Sequence, residues 1–99
     1  MHSEKHISEL VVTEYEKRMA QNIYPFYYIR ILKELEKKES TKKELREKLG
    51  IPTSKVYRAI YRLQIDELIA KEMRDGVEFW KLTDKGREYL KQLKELVNA

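Results

Sequence analysis

The triplet Gly50-Ile51-Pro52 is the feature that most restricts what this chain can become. Before it, Thr41-Lys42-Lys43-Glu44 has the Thr-x-x-Glu spacing of a capping box, in which each of the two side chains satisfies a free backbone N–H of the other residue. Leu45 and Leu49 follow one turn apart, and Gly50 falls where a left-handed residue closes such a helix. After it, Thr53 or Ser54 begins a stretch to Ile65 that is amphipathic at 100° per residue. Val56, Ala59, Ile60 and Leu63 share one side of that stretch; Ser54, Lys55, Arg58, Tyr61 and Arg62 share the other. Two helices joined by so tight a turn form a helix-turn-helix.

The elements on either side complete the plan. Asp75-Gly76 separates two short β-prone runs, and both residues suit the positive φ angles of a type I′ turn, so the pattern predicts a hairpin over about residues 69–82. A two-stranded ribbon needs a packing surface, and Trp80 and Leu82, on one face by alternation, are its anchors. Thr83 or Asp84 caps a last helix whose stripe is Tyr89, Leu90, Leu93, Leu96 and Val97. Gly86 in its first turn disfavours a helix by about 1 kcal/mol relative to Ala, which predicts a close approach of backbones there. Upstream, residues 3–20 carry an amphipathic pattern, and Pro25 opens a second helix to about Lys38. Apolar residues surround the start of that second helix, at Tyr24, Phe26, Tyr27 and Tyr28. Packing in the core and against a second subunit explains them more simply than a small-molecule effector pocket does.

Several functional classes lack their parts. No apolar run reaches the roughly 20 residues needed to cross a bilayer, and no signal-peptide core is evident, so the expected location is the cytoplasm. With no Cys, no Gly-rich phosphate loop, and His only at His2 and His6, neither nucleophilic nor metal catalysis is equipped, and the expectation is no enzyme. The two histidines find a third metal ligand only in Glu9, so no metal and no cofactor is expected.

Charge points to a different role. The chain has 21 basic and 17 acidic residues, a net of only +4, yet the stretch 53–65 holds no acidic residue at all. A solvated basic face is the plain explanation; a helix cleared of carboxylates directly after a helix-turn fits an anionic groove better. Arg58 and Arg62 are placed to read guanine edges in the major groove, with Ser54, Lys55, Tyr57 and Tyr61 on phosphates. Lys42 and Lys43 are further phosphate candidates, although Glu44 and Glu47 sit among them, and Arg74 is a weaker one on the ribbon. Trp80 is read as core.

Taken in order, Val56-Tyr57-Arg58-Ala59-Ile60-Tyr61-Arg62-Leu63, then Leu68-Ile69, then Phe79-Trp80-Lys81-Leu82-Thr83-Asp84-Lys85-Gly86 resembles winged-helix transcriptional regulators of the PadR and MarR type. The resemblance covers roughly residues 24–90 and implies double-stranded DNA as partner. Small proteins of this plan occur in archaea and their viruses, which makes an archaeal or viral source the expectation. Two departures stand out. Glu67 occupies a place where such proteins often carry Gly, which predicts a reshaped or extended helix end, and Asp75 and Glu78 near the ribbon tip argue against minor-groove contact by the wing.

The reading is therefore a single domain over 1–99, mainly α with a small β-hairpin: a winged helix-turn-helix with extra N- and C-terminal helices, 1–22 and 83–99, used in dimerisation. Its expected function is that of a sequence-specific double-stranded DNA-binding transcriptional regulator, a repressor acting as a homodimer. The rivals are a protein-interaction module of the transcription machinery and an effector-responsive regulator with a small-molecule pocket.

Overall fold

A computed structural model describes residues 24–98. The expected helix over 3–20, with His2 and His6, lies outside the described residues. Within them the order is α1 (Phe26–Lys37), α2 (Lys42–Leu49), α3 (Thr53–Ile65), β1 (Ile69–Arg74), β2 (Val77–Leu82) and α4 (Asp84–Asn98). No described helix is long and apolar enough to cross a membrane.

The local signals fold as their chemistry requires. Pro25 stands just outside α1, which buries Tyr28, Ile29, Ile31, Leu32 and Leu35. Thr41 Oγ1 accepts from the Glu44 N–H at 3.1 Å while Glu44 Oε1 accepts from the Thr41 N–H at 2.9 Å, and Gly50 closes α2 in the left-handed region at φ 64°. Asp75 and Gly76 both adopt positive φ, 51° and 78°, so the ribbon turns there in the register Arg74 to Val77, Lys71 to Trp80 and Ile69 to Leu82. Trp80 and Leu82 are buried, and one core joins them to Leu32, Leu45, Val56, Leu63 and Leu90. The ribbon is also longer-reaching than its sequence indicates. Ser40 pairs with Trp80 through two backbone hydrogen bonds of 2.8 and 3.1 Å, adding a one-residue third strand that ties the α1–α2 link to the wing.

The end of α3 differs from expectation. Glu67 neither extends nor reshapes the helix; it takes the left-handed conformation itself, at φ 65°. Its N–H bonds the Gln64 carbonyl and the Leu68 N–H reaches back to Leu63 at 3.0 Å, the paired bonds of a Schellman closure. Burial of Leu68 and Ile69 holds this turn in place against the local preference of glutamate. Left-handed geometry costs a non-glycine residue about 1 to 2 kcal/mol, of which glycine's greater freedom in the unfolded chain takes back part. Glu67→Gly is therefore expected to raise stability by about 0.5 to 1 kcal/mol, read as a higher urea midpoint at unchanged slope. A lower midpoint would show that the Glu67 side chain contributes more than its long 4.0 Å approach to Lys85 suggests.

The same turn seats α4. Thr83 Oγ1 donates to the Glu67 carbonyl at 2.6 Å and accepts from the Gly86 N–H at 3.0 Å, so Thr83 is the cap and Asp84 the first helical residue. Gly86 meets the Leu68 carbonyl so closely that an added Cβ would lie 2.1 Å from its oxygen. The close approach inferred from the glycine is thus a contact between the start of α4 and the end of α3.

Candidate nucleic-acid interface

Helix α3 presents its polar side outward because Val56, Ala59, Ile60 and Leu63 are all buried. With those four turned inward, Arg58 lies at the centre of the outer face, Ser54, Tyr61 and Ile65 on one side of it, and Lys55 and Arg62 on the other. Tyr57 and Tyr61 are 52% and 67% exposed. Ile65, an apolar residue that the same spacing puts on this side, is 58% exposed. Pro52 precedes α3 without a side-chain cap and its first turn holds no acidic residue, so the positive end of the helix faces outward uncompensated.

The basic residues divide by what holds them. Arg58 forms no ion pair with any described residue. Lys55 Nζ lies 5.4 Å from the Tyr27 ring centroid, and the Arg62 guanidinium 5.1 Å from that of Tyr24, so the basic flank of α3 runs along Tyr27 of α1 and Tyr24 just before it. Arg62 Nε also donates to Asp66 Oδ2 at 3.1 Å. On the opposite flank Lys42 Nζ sits 4.3 Å over the Tyr57 ring and 3.5 Å from Glu78, bridging α2, α3 and β2. Beside it is a hollow of about 180 Å³ lined by Lys42, Lys43, Arg46, Thr53, Val56 and Tyr57. Arg46 also lines this hollow and reaches the Thr53 hydroxyl at 3.5 Å.

Arg74 stands apart. Its guanidinium pairs with Glu39 and Glu72 and lies 4.3 Å over Phe79, so two carboxylates already meet its charge. Of the nine candidates from the sequence, Ser54, Arg58 and Tyr61 lie on the outer face of α3, Lys42, Lys43 and Tyr57 on one flank, Lys55 and Arg62 on the other, and Arg74 on the wing.

Tyr24, just before α1, packs with Tyr27 and Tyr28 of α1 and with Tyr89 of α4. Tyr24 stacks on Tyr28 at 5.5 Å and meets Tyr89 edge-on at 5.7 Å, and Tyr27 meets Tyr28 at 4.9 Å. Burial raises the pKa of Tyr28 and of Tyr89 above the ordinary tyrosine value. Tyr24 is raised further, by burial first and then by its hydrogen bond to Asp66. Asp66 moves the other way, held below the usual carboxylate range chiefly by the Tyr24 hydroxyl and then by Arg62, against some desolvation. Among the described residues no cluster of His, Asp and Glu is placed to hold a metal.

No protein-family model matches the chain, and no curated protein matches it. Solved structures do. A MarR family transcriptional regulator from Silicibacter pomeroyi is 25% identical with a TM-score of 0.75, covering 86% of this chain and 60% of its own. The oxidized form of MarR from E. coli is 18% identical with a TM-score of 0.75, at 85% and 62% coverage. A MarR mutant from E. coli complexed with operator DNA is 19% identical with a TM-score of 0.72, at 85% and 61%. The present chain thus spans 60 to 62% of the length of these proteins. Its fold is the winged helix of the MarR-family transcriptional regulators, four described helices with a two-strand antiparallel hairpin.

Proposed function

We propose that this winged helix is a sequence-specific double-stranded DNA-binding transcriptional regulator of the cytoplasm, a repressor that works as a homodimer and carries out no catalysis. The observation that carries the reading is the outer face of α3, where Ser54, Arg58 and Tyr61 project from a helix without acidic residues, with Arg58 free of any described carboxylate. A structurally similar MarR mutant is bound to operator DNA, which supports the choice of partner. In this arrangement Arg58 takes a guanine edge; Lys42, Lys43, Lys55 and Arg62 take phosphates, with Tyr57 and Ser54 assisting. Arg74, held by Glu39 and Glu72, contributes least. Dimerisation through α4 and the segment before α1 is supported by Leu96, which stays exposed at the end of the α4 stripe. Two α3 helices would then enter successive major grooves about 34 Å apart.

Titration of a labelled duplex at several salt concentrations tests the reading. Four phosphate contacts per subunit give an expected slope of log affinity against log salt of roughly −7 for a dimer, at about −0.9 per phosphate. A slope near zero, or no binding at low salt, would contradict it.

A further inference from the structure

Arg62 is held more firmly than an exposed arginine needs to be. Asp66 Oδ2 accepts from Arg62 Nε at 3.1 Å and from the Tyr24 hydroxyl at 2.6 Å, so one carboxylate oxygen joins the two. The Tyr24 ring lies 5.1 Å from the guanidinium carbon, giving the same arginine an aromatic wall. Tyr24 itself is 4% exposed and fixed by Tyr28 and Tyr89, which belong to α1 and α4. The chain of contacts therefore runs from the packed aromatic cluster, through Asp66, to an arginine on the last turn of α3. Asp66 uses the Nε side of the guanidinium, and the two terminal nitrogens have no described partner.

We propose that Tyr24 and Asp66 are positioning residues for DNA binding: they touch no DNA, and they hold the Arg62 guanidinium with its terminal nitrogens presented to a backbone phosphate. This rests on the function proposed above and assigns work to two residues outside its contact surface. A free arginine loses much rotamer freedom when it docks, and one already fixed by packing and hydrogen bonds loses less. The opposing effect is the Asp66 charge, which repels phosphate and competes for the cation. Removing that charge therefore mixes two contributions of opposite sign. Removing only the Tyr24 hydroxyl does not, because every charge stays in place.

The experiment is a double-mutant cycle of wild type, Tyr24→Phe, Arg62→Ala and the double variant, with Arg62→Lys alongside, on one selected duplex and one random duplex. Wild-type binding to the selected duplex establishes the DNA-binding reading independently; its absence would overturn that reading and this one together. Given binding, Tyr24→Phe is expected to weaken it about three- to tenfold with an unchanged salt slope. Arg62→Ala should make the slope shallower by about one per subunit, and Tyr24→Phe should then add nothing. Arg62→Lys, which keeps the charge without the Nε donor, should weaken binding about as much as Tyr24→Phe. A Tyr24→Phe loss that persists unchanged in the Arg62→Ala background, or full wild-type affinity in either Tyr24→Phe or Arg62→Lys, would overturn the proposal. Should Tyr24→Phe fail to fold, Arg62→Lys decides the matter, since it alters only an exposed side chain.

Discussion

Gly86→Ala is expected to lower the melting temperature by roughly 10 to 20 °C. Helix propensity alone gives the opposite sign, because Ala is favoured over Gly inside a helix by about 1 kcal/mol. Steric contact overrides it. The new Cβ would lie 2.1 Å from the Leu68 carbonyl oxygen and 3.1 Å from a Leu82 methyl carbon. Neither the carbonyl nor α4 can move freely. Leu68 C=O accepts from the Thr83 N–H at 3.1 Å, and Thr83 also bonds the Glu67 carbonyl and caps α4. Overpacking of this kind costs about 1 to 3 kcal/mol or more, and a backbone obstacle puts it at the upper end. Thermal unfolding followed by circular dichroism checks it. An unchanged or raised melting temperature would mean that α4 does not start against the end of α3.

Arg58→Ala is expected to reduce affinity for a selected duplex about 5- to 150-fold, the equivalent of the 1 to 3 kcal/mol of one bidentate guanine contact. It should leave the melting temperature within about 2 to 4 °C, because Arg58 is exposed and forms no described ion pair. In the sequence Arg58 and Arg62 are equivalent, four apart on one polar face. The fold separates them: Arg58 is central and unpaired, whereas Arg62 is turned to the flank against Tyr24 and Asp66. In the proposed function the first discriminates bases. The second, in the same proposal, adds phosphate affinity of the same size for any sequence.

That separation marks the boundary of what the amino-acid pattern makes legible. Thr41 with Glu44, Gly50, and Asp75 with Gly76 are readable because their interactions close within a few residues, where side-chain chemistry and backbone preference suffice. The buried stripes of α1 and α3 follow from spacing, and Gly86 announces its contact because a glycine in a helix needs a reason. The Tyr24 to Asp66 bond joins residues 42 positions apart and leaves no periodic trace. Pairing of Ser40 with Trp80 is equally silent, since it uses only backbone groups. Glu67 hides its left-handed turn because its local preference opposes the geometry that burial of Leu68 and Ile69 imposes. Arg74 is an electrostatic candidate by count; Glu72, two residues before it on one strand face, is readable beside it, whereas only the fold brings Glu39 to it.

The outer face of α3 is tested most directly by selecting duplexes from a random pool at one stated salt concentration, with wild type and Arg58→Ala in parallel. Wild type is expected to enrich a two-fold symmetric site with a guanine at one fixed position in each half, and Arg58→Ala to lose the preference at that position alone. Enrichment of no sequence by wild type, or the same guanine enriched by both proteins, would contradict the assignment of α3 as the helix that reads DNA.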